Sequence, residues 1–255
     1  MADSYTRDPP RVDKALRQKG IVVVMARDYA RNPQDVINTI QAISEAGYIA
    51  EVTLRIPEGI VKEAMVELRK RREETFRTRP NDPMVIGVGS VINPREQEAA
   101  IEMGFDMVVG PDTCMGGCRE PIEFVRRVRA AKVFGVPGAF SPSEFSYYLE
   151  REDRLQPDAI KVFNASIYGP SGVGALLAPY QRDRHNGKMI MPTGGVNLKT
   201  GAGFQEQIAK RGFFPVLGMS APLDLVLERK KPGDPDTLRE SLQKFKDEFK
   251  PYTPA

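Results

Sequence analysis

The chain has 255 residues, room for one large domain or two small ones at about 150 residues per domain. Its 41% hydrophobic and 28% charged residues match an ordinary soluble globule and argue against disorder or a fibrous repeat. Lys plus Arg number 37 against 34 Asp plus Glu, and the resulting +3 is too small to act as a broad nucleic-acid footprint.

The first twenty residues hold no apolar core, so no secretory leader is expected. The apolar run Ile21 to Ala26 is far short of the ~20 residues a bilayer span requires. From there on, short apolar runs alternate with charged, amphipathic stretches, the rhythm of a βαβα chain. Strands are predicted at IVVVMA (21–26), AEVTLR (50–55), MVIGVGSV (84–91), DMVVGP (106–111), KVFGVPG (132–138), DAIKVF (158–163), KMIMPT (188–193) and FFPVLGMS (213–220), eight in all. Helix starts are marked at Asn32-Pro33, Asn93-Pro94 and Ser141-Pro142, where a side chain that caps free N–H groups precedes a Pro at the first helical position. Glu144, three residues after Ser141, adds a capping box.

The strands are largely apolar on both faces, as parallel strands covered by helices are. Eight such units without a linker predict a closed (β/α)8 TIM barrel of the α/β class, one domain over 1–255 with its core at about 21–226. An open doubly wound sheet is the alternative. The polar tail before Gly20, the charged segment 67–83 and the end from 230, which finishes as a helix, read as peripheral.

Side chains alternate along a strand, so Glu51, Thr53 and Arg55 share one face and Val52, Leu54 and Ile56 the other. In a barrel the apolar set meets the helices and the polar trio points into the lumen, where burial is costly unless the groups are paired or bind something. A self-satisfied Glu–Arg pair is the competing reading. In DAIKVF, Ala159, Lys161 and Phe163 share a face, which makes Lys161 a lone amine in an apolar strand. A desolvated amine titrates low and its neutral form attacks carbonyls; a lysine that snorkels to water is the alternative. Gly194-Gly195 ends the seventh strand and Ser220 the eighth, where barrels often bind phosphate with backbone N–H groups, although Gly-Gly by itself is a common turn.

Other features point less far. Cys114 and Cys118 fit a thiol-bearing loop in a reducing, cytoplasmic setting, with a bridge between them as the alternative, and zinc needs more ligands than they supply. His185, the only histidine, reads as part of an exposed turn, and Arg69 to Arg72 as a solvated helix end. The glycine-rich run 169–174 lacks the Lys-Ser/Thr of a nucleotide-binding loop.

EVTLR, GVGSVINP (87–94), Gly-Val-Pro-Gly with SPSE (135–144), IKVF, PTGGV and VLGMS occur in an order that resembles the 2-keto-3-deoxy-6-phosphogluconate (KDPG) and 4-hydroxy-2-oxoglutarate (KHG) aldolases, over about Ile21 to Val226. The resemblance implies a lyase on a TIM barrel: a class I aldolase, free of metal and cofactor, that releases pyruvate from a 2-keto acid substrate and works as a homotrimer without nucleic acid or membrane. Carried over, the Schiff-base lysine falls on Lys161 and the catalytic carboxylate on Glu51. Arg55 with Ser90 would hold the substrate carboxylate, and Arg27, Thr193, Gly194, Gly195 and Ser220 its polar or phosphorylated end. Thr53, Pro111 and Phe163 are expected to line the pocket. Ser90 replaces a more usual threonine and Asn164 a proline, while the loop 111–121, the segment 67–83 and both tails depart from the pattern. A phosphosugar isomerase or decarboxylase, and a non-catalytic sugar-phosphate-binding protein, are the competing readings.

Overall fold

The computed structural model describes residues 4–113, 116–152, 155–226 and 233–254. Its strands are β1 (Ile21–Met25), β2 (Ile49–Thr53), β3 (Ile86–Gly89), β4 (Met107–Val109), β5 (Phe134–Val136), β6 (Gly138–Ala139), β7 (Ala159–Val162), β8 (Met189–Pro192), β9 (Phe214–Pro215) and β10 (Leu217–Met219). Every pairing is parallel, in the orders β10-β1-β2-β3-β4-β5 and β6-β7-β8-β9. The two sets meet where a predicted strand is interrupted. Pro137, which has no N–H to give a ladder, separates β5 from β6, and Val216 separates β9 from β10. Across the second break the Val216 N–H still donates to the Ile190 carbonyl and Thr193 bridges Gly218. Ten segments thus form the eight predicted staves of a closed parallel barrel.

The helices between them are α2 (Pro33–Glu45), α3 (Glu58–Thr78), α4 (Pro94–Met103), α5 (Ile122–Ala130), α6 (Pro142–Leu149), α7 (Ala165–Leu177), α8 (Gly201–Ala209), α9 (Ala221–Asp224) and α10 (Pro235–Glu248). Three start as their sequence predicts: Asn32 and Asn93 accept the third N–H of α2 and α4, and Ser141 and Glu144 form a complete capping box on α6. Among the described residues no helix is long and apolar enough to cross a membrane.

Side-chain alternation sorts the interior into two layers. Val23, Val52, Val88 and Ile160 pack outward against the helices, while Val22, Ile49, Met107, Phe134, Ala159 and Met189 fill the lower lumen. With that inner layer pack Val12, Ala15 and Leu16 of a helix that precedes β1, α1 (Pro9–Lys19). The tail before Gly20, expected to be peripheral, is therefore the plug that keeps water out of the N-terminal end of the barrel. Its apolar residues are too few for the polar segment to stand out, and only the open barrel end gives them a partner.

Two further expectations are corrected. The segment 67–83 continues α3 as far as Thr78, and Arg72 faces inward, 2.8 Å from Asp106, with the side chains of both almost wholly buried. Asp106 also accepts the Ile86 N–H at 3.0 Å and the Tyr5 hydroxyl at 2.7 Å, so its charge is matched by three donors. His185 is 1% exposed, its Nδ1 2.8 Å from the Tyr180 carbonyl and its Nε2 3.4 Å from Glu150. Charge-rich surroundings make both residues look solvated; a distant carboxylate draws Arg72 inward, and a nearby carbonyl holds the His185 ring in the interior. Cys114 lies outside the described residues.

Candidate active site

A cavity of about 570 Å³ opens at the C-terminal ends of the strands, the end of a barrel where loops are free to vary without disturbing the core. Glu51, Arg55, Ser90, Pro111, Lys161, Phe163, Thr193, Gly194, Gly195 and Ser220, ten of the twelve residues singled out above, line it.

Glu51 and Lys161 come from β2 and β7, opposite staves in the strand order, and reach toward each other above the apolar floor. They are 2% and 4% exposed. Space for the carboxyl depends on Gly89, its β3 neighbour, where a methyl group would overlap Glu51 Oε1. Among the described residues Glu51 Oε2 has no hydrogen-bond partner. The Lys161 amine stands 4.9 Å from the centroid of the Phe163 ring. Burial pushes the Glu51 carboxyl above the ordinary carboxylate range, and the Lys161 charge opposes this only in part. Burial pushes the Lys161 amine below the ordinary lysine range; the Glu51 charge opposes the shift and Arg55 reinforces it. Both groups are driven toward their neutral forms, an amine able to add to a carbonyl beside a carboxyl able to give it a proton.

Arg55 follows β2 on an exposed turn, and its backbone N–H and Nε donate to Thr53 Oγ1 at 3.3 and 3.2 Å. The same hydroxyl lies 2.9 Å from Ser90 Oγ, to which it donates. Ser90 sits at φ +58°, an uncommon conformation for a residue with a side chain. Such outliers persist where surrounding structure enforces them, often at functional sites. Gly194 and Gly195 have φ +85° and +72°, and a methyl on either would overlap Asn164 Oδ1 or Ser166 Cβ at the start of α7. Among the described residues, neither glycine N–H has a protein acceptor. That leaves a pair of donors at the cavity wall, suited to an anion.

Thr53 and Arg27 stand outside the lining. Thr53 is 1% exposed and sits behind Arg55 and Ser90, because β2 ends there and the chain turns before the face it shares with Arg55 reaches the mouth. Arg27 lies exposed on the turn after β1. Ile92 and Glu96, unanticipated from the sequence, also line the mouth, with Glu96 Oε2 accepting the Ile92 N–H at 2.8 Å. Asn93-Pro94 was a usable signal, since the first turn of a helix that follows a barrel strand lies at this rim. Among the described residues no three His, Cys, Asp or Glu side chains cluster as a metal site.

A parallel barrel with a buried amine and carboxyl facing one cavity at its C-terminal mouth is built as an enzyme. Residues 12–209 match the family model described as KDPG and KHG aldolase, a stretch that starts within α1 and ends with α8. Over 190 residues the chain is 30% identical to the 2-dehydro-3-deoxy-phosphogluconate aldolase of Pseudomonas aeruginosa, which covers 74% of this chain and 73% of that one. In fold it is similar to the KDPG aldolase of Legionella pneumophila, solved with pyruvate captured as a covalent carbinolamine (TM-score 0.64, 20% identity, 91% of this chain and 96% of that chain). It is equally similar to the 2-keto-3-deoxy-6-phosphogluconate aldolase of Zymomonas mobilis, solved with 3-phosphoglycerate (TM-score 0.64, 20% identity, 91% and 93%). The chain belongs to the KDPG and KHG aldolase family and is a lyase.

Proposed function

We propose that the protein cleaves a 2-keto-4-hydroxy acid to pyruvate and an aldehyde through a Schiff base on Lys161. The observation that carries this is the buried amine of Lys161 facing a buried carboxyl in a cavity that also holds an arginine free of any carboxylate partner among the described residues. Arg55 and Ser90 take the substrate carboxylate, which brings C2 to the amine. The neutral amine adds to the C2 carbonyl, and Glu51 gives a proton to the departing hydroxyl, so that water leaves and a protonated imine remains. Glu51, now a carboxylate, removes the C4 hydroxyl proton. The C3–C4 electron pair moves toward the imine nitrogen, the aldehyde departs, the enamine takes a proton at C3, and water releases pyruvate and regenerates the amine.

The unpartnered N–H groups of Gly194 and Gly195, with Ser220 near them, favour a phosphorylated aldehyde half. KDPG, which yields glyceraldehyde 3-phosphate, is therefore preferred over 4-hydroxy-2-oxoglutarate, which yields glyoxylate. The relatives solved with a pyruvate carbinolamine and with 3-phosphoglycerate support both halves of this reading. The reaction uses no metal or cofactor, and the enzyme acts as a cytoplasmic homotrimer, which light scattering checks.

Borohydride reduction in the presence of pyruvate tests the chemistry. A mass gain located on Lys161 is expected, with turnover abolished in Lys161→Ala and strongly reduced in Glu51→Gln. Full activity in the lysine variant would overturn the assignment.

A further inference from the structure

Thr53 touches no part of the cavity, yet its hydroxyl holds together the two groups assigned to the substrate carboxylate. A hydroxyl oxygen has two lone pairs and one proton. Both lone pairs are occupied by groups that can only donate, the backbone N–H of Arg55 at 3.3 Å and its Nε–H at 3.2 Å. The single proton of Thr53 is therefore directed to Ser90 Oγ, 2.9 Å away. Ser90 receives that bond, so its own proton must point elsewhere. Among the described residues it meets no other hydrogen-bond partner, and Ser90 lines the cavity. The same contacts restrain the side chain of Arg55, a residue of the cavity lining, by its Nε and leave the two terminal nitrogens of its guanidinium with no carboxylate partner among the described residues.

We infer that Thr53 is a positioning residue: its buried hydroxyl turns the Arg55 guanidinium and the Ser90 hydroxyl into a pre-aimed set of donors for the carboxylate of a 2-keto acid. The inference rests on the aldolase reading above and deepens it, since it assigns the part of the site that selects a 2-keto acid over a plain ketone or aldehyde. A donor set oriented before binding spends less of its interaction energy on ordering side chains. At position 53, valine keeps the shape and loses the hydroxyl, leaving the Arg55 Nε–H without its acceptor and the Ser90 proton free to turn away.

The test is borohydride trapping on wild type, Thr53→Val, Thr53→Ala and Thr53→Ser across a range of pyruvate concentrations, with steady-state kinetics alongside. In Thr53→Val the half-saturating pyruvate concentration and the KM rise about ten- to a hundredfold, the range expected for weakened hydrogen bonds to a charged group. Trapping at saturating pyruvate and kcat change little. Thr53→Ser stays within about threefold of wild type, because the hydroxyl is what matters. In a Ser90→Ala background Thr53→Val has a smaller effect than in wild type, since part of the set it orients is already gone. A purely structural role would lower Tm without the split between KM and kcat and without rescue by serine. Trapping in wild type with unchanged half-saturation in both Thr53→Val and Thr53→Ala would overturn the positioning role and leave the aldolase standing. Absence of any pyruvate adduct in wild type would overturn the aldolase reading and this inference with it. Should the valine variant fail to fold, the alanine variant is read in its place.

Discussion

Gly89→Ala should cripple the enzyme without replacing any group that reacts. A Cβ at position 89 would overlap Glu51 Oε1 and lie only 2.7 Å from its Cδ and 3.2 Å from its Cγ. To restore ordinary contact the carboxyl must retreat by roughly 1.5 Å, and a displacement of even about 1 Å at a catalytic group costs on the order of a hundredfold in rate. Gly89 has no positive φ, so alanine meets no backbone penalty and the whole effect comes through the contact. Glu51 is boxed in by the lumen, so the substitution also overpacks a rigid site, at about 1–3 kcal/mol. For a domain of this size that corresponds to a Tm lowered by roughly 2–10 °C. Pyruvate release from KDPG, coupled to lactate dehydrogenase, measures kcat, and thermal unfolding followed by circular dichroism measures Tm. Gly59→Ala is the control: a Cβ there meets nothing within 4 Å, so rate and Tm should hold or Tm should rise slightly. A folded Gly89→Ala enzyme with kcat within about twofold of wild type would refute the claim that the strand-to-strand fit places the acid.

Four further outcomes follow from the same geometry. The rate of borohydride trapping should climb with pH and level off below the ordinary lysine value of about 10.4, because burial lowers the pKa of Lys161 and the neutral amine is the attacking form; a plateau reached only above that value would contradict it. By linkage the folded protein binds fewer protons at Lys161 than the unfolded chain does, so this burial destabilises the fold below the unfolded pKa and the penalty fades as pH rises toward it. Lys161→Met should accordingly raise stability at neutral pH, by about 0.5–2 kcal/mol in urea unfolding, with the gain shrinking as pH increases. Arg72→Leu leaves the buried Asp106 without its ion-pair partner and should cost about 3–5 kcal/mol in the same assay, where a change near zero would return Arg72 to the solvent. Gly194→Ala forces a side chain into φ +85° and against Asn164, so KM for the phosphorylated substrate should rise at least about tenfold while 4-hydroxy-2-oxoglutarate is barely affected; equal losses on both would remove the phosphate role.

What local rules govern was readable from the residues in order. Alternation put Glu51 and Lys161 into the lumen and Val52 and Ile160 against the helices, as the two apolar layers of the barrel have them. Asn32, Asn93 and Ser141 cap their helices because the cap pattern needs only neighbouring atoms. The glycines at 194 and 195 bend the chain in a way their type alone permits.

Whatever depends on partners far along the chain was decided by the tertiary structure. α1 reads as a polar tail until the open end of the barrel offers Val12 and Leu16 a surface to cover. Arg72 reads as solvated until Asp106, 34 residues on, meets it in the interior, and His185 until the fold buries its ring against the Tyr180 carbonyl with only the exposed Glu150 at its outer edge. Alternation places Thr53 on the lumen face, and closure of the barrel sets it one layer behind the cavity wall, where it links Arg55 to Ser90, 37 residues further along the chain than Thr53. The residue types determined which chemistry this chain can carry, because a lysine in an apolar strand is unusual wherever it occurs. Only the closed sheet determined that the amine is dry and opposed by a carboxyl, since solvent exclusion belongs to the surrounding staves and to no single segment.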